Sequence, residues 1–203
     1  MNATRLESFS DGVFAFAITL LVLGIPMPEL KTPDDLALRH ALLHSLGQLV
    51  PYVTSFATVG IIWLNHHQLF HAVEAVDHLA LVLNLLLLLV VSFVPYPTAI
   101  LGRFGPMPSN CFLYGATYTL IGIIYSLLAR HIQRNFLKVN VRSAAEAKRR
   151  NLRNVAGVLT YPTAALIGLR WPRVSVAAYF LLAAFYLLPF ANSAHESRRT
   201  QGG

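Results

Sequence analysis

Apolar runs of roughly twenty residues constrain this chain more than any other feature. The first, Arg5 to Pro26 (RLESFSDGVFAFAITLLVLGIP), is long enough to cross most of a bilayer. Hydrophobic residues make up 55% of the 203-residue chain and charged residues only 12%, against about 25% charged residues in soluble domains. Continuous apolar runs favour a helical bundle over a β-barrel, whose strands alternate in polarity. The sequence therefore predicts an all-α integral membrane protein.

Six membrane-crossing helices are predicted within a single domain. They cover about Leu6–Pro26, His44–Leu64, His78–Ile100, Cys111–His131, Val155–Leu169 and Val174–Phe190. The third is expected to end at Pro95 and Pro97, because proline breaks helices. A short helix capped by Thr32 or Asp34 is predicted in the first loop.

The placement of lysine and arginine predicts the orientation of the bundle. Eight of them lie between the fourth and fifth spans, from Arg130 to Arg153, and the loops on the opposite side carry five. With six spans, both termini share a side with the basic segment, which the positive-inside rule makes cytoplasmic. The net charge of +7 is accordingly attributed to topology and lipid contact, and no nucleic-acid partner is predicted. Residues 1–193 are predicted to form the membrane domain and 194–203 a disordered cytoplasmic tail.

Candidate catalytic groups are sparse. Cys111 is the single cysteine, so no intramolecular disulfide can form. His67 and His71 lie four residues apart, as two metal ligands on one helical face would. A membrane-embedded metal-dependent enzyme that uses them with His66 is therefore one alternative, and a non-conducting membrane scaffold is another. Because no HExxH motif, nucleophile–base pair or phosphate loop is present, we predict no catalytic residues, no metal and no cofactor.

Polar side chains gather at the predicted cytoplasmic ends of the first three spans: Ser10 and Asp11 in the first, Trp63 and His66 in the second, and Asn84 in the third. An ionisable group at membrane depth costs about 2.5–3.5 kcal/mol, so Asp11 is expected to find a partner on another helix. A histidine could hydrogen-bond Asp11 or Ser10 across the helix interface, while Arg5 reaches lipid phosphate. Two interpretations of Asn84 stay open: it joins this cluster, or it bonds a nearby backbone carbonyl.

A stripe of side chains follows Asp11 in the first span. Phe16, Thr19, Leu20 and Leu23 have the i, i+3, i+4, i+7 spacing that places side chains on one face of a helix. Such a stripe could line a narrow pore or could pack against neighbouring helices, and spacing alone does not decide between them.

The motif Arg5-x-x-x-Phe9-Ser10-Asp11, followed by GVFAFAITLLVL, resembles the first-helix signature of the transmembrane protein 175 family. The resemblance extends to Trp63-x-x-His66, to Asn84 and to Pro95-Tyr96-x-Thr98. It implies a potassium-permeable cation channel of a prokaryotic plasma membrane. It further implies a homotetramer of six-helix subunits, with the first helix of each lining a central pore and no carbonyl-lined selectivity loop.

Carried over by position, the resemblance places a hydrophobic constriction at Phe16, further layers at Leu20 and Leu23, and the threonine tied to potassium preference at Thr19. It also implies a structural network that fixes the first helix: Arg5, Phe9, Ser10, Asp11, Trp63, His66 and Asn84. Potassium ions and membrane lipids are the implied partners. Phe16 departs from the family's usual isoleucine or leucine, and four phenyl rings could seal the path or offer their faces to a cation.

Overall fold

The computed structural model is all-helical and describes residues 3–28, 30, 34–71, 73–136 and 159–200, with side chains at 44 and 188–200 left aside. The helices, in chain order, are α1 (Ala3–Leu20), α2 (Asp35–Ser45), α3 (Leu49–His71), α4 (His78–Phe93), α5 (Pro95–Phe104), α6 (Pro108–Asn135), α7 (159–168) and α8 (Pro172–Thr200). A 3-10 turn, Leu21–Gly24, extends α1, and another, Leu46–Gln48, joins α2 to α3.

Four helical stretches within the described ranges are long and apolar enough to cross a membrane: Ala3–Gly24, Asp35–His71, His78–Phe104 and Pro108–Asn135. They match the first four predicted spans, so the all-α membrane architecture is confirmed. Pro172–Leu187 is a shorter apolar helix, and the described part of α7, 159–168, lies within the predicted fifth span, whose residues 155–158 lie outside the description. The basic segment 137–158 lies outside the described residues, and the count of six spans stays a prediction.

The first loop agrees with the sequence prediction, and the C-terminal tail differs from it. Asp34 caps α2, because its side chain accepts the backbone N–H of Ala37 at 3.1 Å, as predicted. At the C-terminus, α8 is helical through Thr200, so residues 194–200 of the expected tail continue the helix, and 201–203 lie outside the description. The domain boundary near residue 193 stays a prediction.

The third span does not end at its two prolines, and that expectation was wrong. α4 ends at Phe93, and α5 begins two residues later at Pro95. Proline is tolerated in the first turn of a helix, where its missing N–H has no intrahelical partner in any case. The helical hydrogen-bond pattern is therefore interrupted at Val94, whose backbone stays helical, and the span continues to Phe104.

Contacts between helices give their relative directions. α1 and α3 run antiparallel, since the start of α1 lies beside the loop after α3, where Ala3 N–H donates to Glu74 O at 3.0 Å. α4 and α6 are also antiparallel, with Asp77 before α4 bonded to His131 near the end of α6. α1, α4 and α5 therefore run one way, and α3 and α6 run the other way.

A cluster of buried tyrosines joins α6, α7 and α8. The rings of Tyr114, Tyr118, Tyr161 and Tyr179 lie 4.9–5.6 Å apart. The cluster is tied to α3 because Ser55 Oγ lies 2.9 Å from the Tyr114 hydroxyl. Aromatic pairs at these distances add about 0.5–1.5 kcal/mol each beyond their buried area. This half of the bundle supports α3, on which α1 packs.

Candidate pore-lining helix and polar network

α1 has one buried face and one exposed face within the subunit. The buried face repeats every three or four residues and packs on α3 and α4: Ala3, Leu6, Ser10, Phe14, Ala17 and Leu21. The exposed face, or open face, has the same spacing, displaced by about half a turn: Arg5, Phe9, Gly12, Phe16, Thr19 and Leu23. Both faces follow the helical repeat, and the exposed face holds no carboxylate.

The predicted constriction residues belong mainly to this exposed face. Phe16 is 64% exposed and Leu23 is 78% exposed, while Thr19 lies between them and is also exposed. Leu20 sits at the border of the two faces and is partly buried. Leu23 belongs to the 3-10 turn and not to the α-helix. It is nevertheless exposed on the same side as Phe16 and Thr19, although the helical repeat differs there.

Two details fix how this face is presented. The Thr19 hydroxyl donates to Phe16 O at 2.8 Å, so its oxygen keeps its lone pairs for an outside donor or cation. Gly24 ends the turn against α5, where a Cβ on this glycine would lie 2.8 Å from Ala99 Cβ. Because only glycine permits that approach, Gly24 holds the end of the stripe in place.

A buried hydrogen-bond chain joins α1 to α4 and α3. The Ser10 hydroxyl donates to Leu6 O at 2.8 Å and accepts from Asn84 Nδ2 at 2.9 Å. Asn84 Oδ1 lies 2.7 Å from His66 Nε2, and all three side chains are fully buried. An amide oxygen can only accept, so His66 carries its proton on Nε2. Asn84 thus belongs to the polar cluster, and it separates His66 from Ser10.

Asp11 binds Trp63 rather than a histidine. Trp63 Nε1–H donates to Asp11 Oδ1 at 2.8 Å, and His66 lies three residues, nearly one helical turn, further along α3. An indole N–H is a donor only, which suits a carboxylate at the end of a membrane span. This bond supplies the partner on another helix that the sequence predicts for Asp11.

A second carboxylate on the same face escaped the sequence prediction. Glu7 Oε1 lies 2.7 Å from His67 Nδ1, and neither atom makes a hydrogen bond in the part of the chain described. The signal was present in the spacing: Glu7 and Asp11 are four residues apart on α1, and Trp63 and His67 are four apart on α3. Antiparallel packing therefore places the two carboxylates opposite the indole and the imidazole.

The histidines on α3 stack along the helix, with the rings of His67 and His71 centred 5.8 Å apart. Within the described ranges, no group of three or more His, Cys, Asp or Glu side chains is placed to hold a metal ion. Because His67 faces Glu7, it does not form a shared site with His66, which points into the α1–α4 interface. The geometry gives the metal-enzyme alternative no support.

Arg5 and Phe9 lie outside this intrasubunit network. Phe9 is 55% exposed, and Arg5 is also exposed. Both occupy the open face of α1 with Phe16 and Thr19. Their part in fixing α1 stays a prediction, and their position points to contacts made outside the single subunit.

The same end of the bundle carries a contact between Asp77, which precedes α4, and His131 of α6. His131 Nε2 lies 2.8 Å from Asp77 Oδ2. The pKa of Asp77 is lowered because the Ala80 backbone N–H donates to its carboxylate, and His131 adds to the effect. Asp77 is therefore an ionised helix cap at neutral pH.

Comparison with known proteins agrees with this geometry. Residues 5–95 match the sequence profile of the family described as "Endosomal/lysosomal potassium channel TMEM175". A Streptomyces collinus protein named as a potassium channel is 38% identical over 90% of each chain. A Chryseobacterium protein, likewise named as a potassium channel, is 31% identical over 93% of this chain and 94% of its own.

A solved structure gives the same result for the fold. The crystal structure of a lysosomal potassium-selective channel TMEM175 homolog from Chamaesiphon minutus superposes with a TM-score of 0.79 at 33% identity. The match covers 92% of this chain and 97% of that one. Together with the relatives of similar length, this match identifies the family. The chain is a member of the TMEM175 family.

Proposed function

We propose that this chain is one subunit of a potassium-permeable channel in a prokaryotic plasma membrane, a conduit and not an enzyme. The observation that carries the proposal is the open face of α1. Its apolar side chains Phe9, Phe16 and Leu23 are exposed in the subunit, although the side chains of the opposite face are buried. Relatives of nearly equal length that are named as potassium channels support the same function.

Four copies would bring the open faces of α1 together around one axis. Phe16 and Leu23, 64% and 78% exposed in the subunit, would then meet their symmetry mates. A narrow apolar constriction excludes water and so bars ions until it widens. In this homotetramer Phe16 forms the tightest layer, Leu23 a second, and Leu20 supports them from the border of the stripe.

Thr19 would supply the polar layer between these rings. Its hydroxyl proton is engaged by Phe16 O, so the oxygen lone pairs face the axis. Four such oxygens would replace part of the hydration shell of a potassium ion, as oxygen dipoles do in selectivity filters. The permeant ion is the only small-molecule partner of this path, and no cofactor is needed.

The polar network would set the position of the pore helix. Asp11 and Ser10 each hydrogen-bond to a neighbouring helix, Glu7 lies against His67 of α3, and all three point away from the open face. They therefore fix the rotation of α1 about its axis and do not coordinate the ion. A small rotation of α1 would move Phe16 away from the pore axis. The network therefore affects conduction only by holding α1 in its orientation.

We further propose six spans with both termini cytoplasmic. The direction of α7 supports this count, since Tyr161 stacks on Tyr118 while Gly168 approaches Cys111. α7 thus runs antiparallel to α6, and α8 returns in the opposite sense with Tyr179 bonded to Cys111 O. The basic residues at one side then obey the positive-inside rule.

Potassium flux into liposomes tests the proposal. Purified protein is reconstituted into potassium-loaded vesicles, and efflux is followed on addition of a proton carrier. We expect flux from the natural chain and larger flux from Phe16→Ala, which widens the constriction. The matched control is Phe185→Ala on α8, with a side chain equally exposed at 63%, which should leave flux unchanged. Absence of flux from folded, tetrameric protein would refute the channel, and equal effects of both substitutions would refute the role of α1.

A further inference from the structure

A lone cation sits at the end of α5, opposite the end that carries the polar network. Arg103 is exposed, and its guanidinium lies 5.8 Å from the centre of the Phe104 ring. It has no carboxylate partner among the residues that the structure describes. Gly105 follows with φ of 70°, a left-handed value that favours glycine, and turns the chain away from the end of the helix. The guanidinium is thus left facing outward beside a tight turn.

A groove of about 440 Å³ opens next to Arg103. It lies between the start of α3, the end of α5 and the start of α8, and its walls are mainly apolar: Val50, Pro51, Leu101, Phe104, Pro106 and Val176. Pockets of this size hold small ligands or single headgroups. The groove therefore combines an apolar wall with a cation at its rim.

Gln48 adds an acceptor to the same groove. Its Oε1 atom is buried, and it has no hydrogen-bond partner in the described part of the chain. Leaving a buried acceptor unsatisfied is unfavourable, so the site suits a ligand that brings a donor. The groove thus presents one cationic donor, Arg103, and is lined by the side chain of Gln48, whose unsatisfied Oε1 would reach a ligand when the amide turns toward the groove.

We propose that this groove binds a phospholipid whose headgroup carries a hydrogen-bond donor in addition to its phosphate. Arg103 donates to the phosphate, and Gln48 Oε1 accepts from a glycerol hydroxyl or an ethanolamine ammonium. One acyl chain lies along Leu101 and Val176. Phosphatidylcholine supplies the phosphate but no donor, so it fits the groove less well.

The position of the groove identifies the bilayer as the source of the ligand. Arg103 is the second-last residue of the 27-residue stretch His78–Phe104, about 40 Å of helix against a hydrocarbon core of about 30 Å. This length places the guanidinium at headgroup level. A second arginine–aromatic pair lies at the same end, where Arg170 is 5.9 Å from the Trp171 ring. Aromatic side chains at this depth are typical of the membrane interface.

Native mass spectrometry of the full, delipidated chain tests the proposal. The protein is titrated in turn with phosphatidylglycerol, phosphatidylethanolamine and phosphatidylcholine of the same acyl chains. We expect the first two to bind more tightly than the third. Arg103→Gln should weaken phosphatidylglycerol binding about tenfold, the scale of one charge-assisted hydrogen bond, and Arg103→Lys should retain most of it. Gln48→Leu should remove the preference over phosphatidylcholine.

The matched control is Arg39→Gln, which alters an arginine already paired with Asp35 at 2.9 Å. Helix content and elution volume are measured for each variant, and Arg103 is exposed, so its replacement should leave both unchanged. Equal binding of all three lipids, unchanged binding by Arg103→Gln, or an equal loss in Arg39→Gln would overturn the proposal. If another subunit fills the groove, the three lipids should bind equally and Arg103→Gln should leave binding unchanged. Because bound lipid is counted directly, the test does not depend on channel activity.

Discussion

Asn84→Leu tests the buried chain that attaches α1 to its neighbours. Asn84 is fully buried on α4 and makes both of the bonds that hold Ser10 and His66 in one network. Leucine has nearly the same volume, so the substitution removes the amide and leaves little cavity. Ser10 keeps its bond to Leu6 O, whereas His66 Nε2–H loses the acceptor that it has among the described residues.

The expected loss of stability follows from these contacts. A buried donor without a partner costs about 1–3 kcal/mol, and interhelical side-chain bonds in membranes average about 0.6 kcal/mol with a maximum of about 1.7. One orphaned donor and one lost bond to Ser10 therefore predict a decrease of about 2–3 kcal/mol in the free energy of unfolding. Titration with SDS in mixed micelles measures this quantity. Ser92→Ala is the control, because Ser92 is an exposed residue of α4 whose hydroxyl bonds only its own helix.

A double-mutant cycle separates the network from simple packing. His66→Phe keeps the ring between Phe14 and Phe70 and removes its nitrogens, which orphans Asn84 Oδ1. In the double variant neither orphan remains, so its destabilisation should fall short of the sum of the single variants by about 1–2 kcal/mol. Additive effects, or a decrease below about 0.5 kcal/mol for Asn84→Leu alone, would refute the reasoning.

Three further predictions concern other parts of the site. Phe16→Leu introduces the aliphatic side chain that the family resemblance implies at this position, and it should conduct at a level between the natural chain and Phe16→Ala in the liposome flux assay. Conduction above Phe16→Ala would contradict a steric seal. Trp63→Phe leaves Asp11 without its indole donor and should lower the free energy of unfolding by about 1–3 kcal/mol, measured by SDS titration, and an unchanged value would remove Asp11 from the network. The lowered pKa of Asp77 means that its cap stabilises the fold fully above the ordinary carboxyl pKa of 3.8 and loses that effect as pH falls below it. The difference in melting temperature between the natural chain and Asp77→Ala should therefore shrink below about pH 3.8, and a difference that grows there would contradict the assignment.

Sequence patterns could predict the helices, because membrane spans need long apolar runs and little else. They could also predict which polar residues gather at one end, since Asp11, Trp63 and Asn84 lie at matching depths in consecutive antiparallel spans. The pairing itself depends on how each helix is rotated about its axis. A rotation of α3 by one residue would place a neighbouring side chain opposite Asp11 in the position of Trp63. No local sequence pattern determines that rotation.

Two errors of interpretation have similar physical causes. Pro95 was expected to end a span, but a proline in the first turn of a new helix costs little when the preceding carbonyls are satisfied. Glu7 carried no sequence prediction, because its partner lies on another helix. Its contact with His67 depends on antiparallel register, which becomes visible only when α1 and α3 are placed together.

Cysteine accessibility during conduction tests the central claim that the open face of α1 lines the ion path. The native Cys111 is fully buried, so the natural chain should be insensitive to a small cationic thiol reagent. Thr19→Cys should lose potassium flux on reaction with this reagent, whereas Leu181→Cys on α8, with a parent side chain 65% exposed, should conduct as before. Loss of flux in Leu181→Cys with unchanged flux in Thr19→Cys would contradict the account.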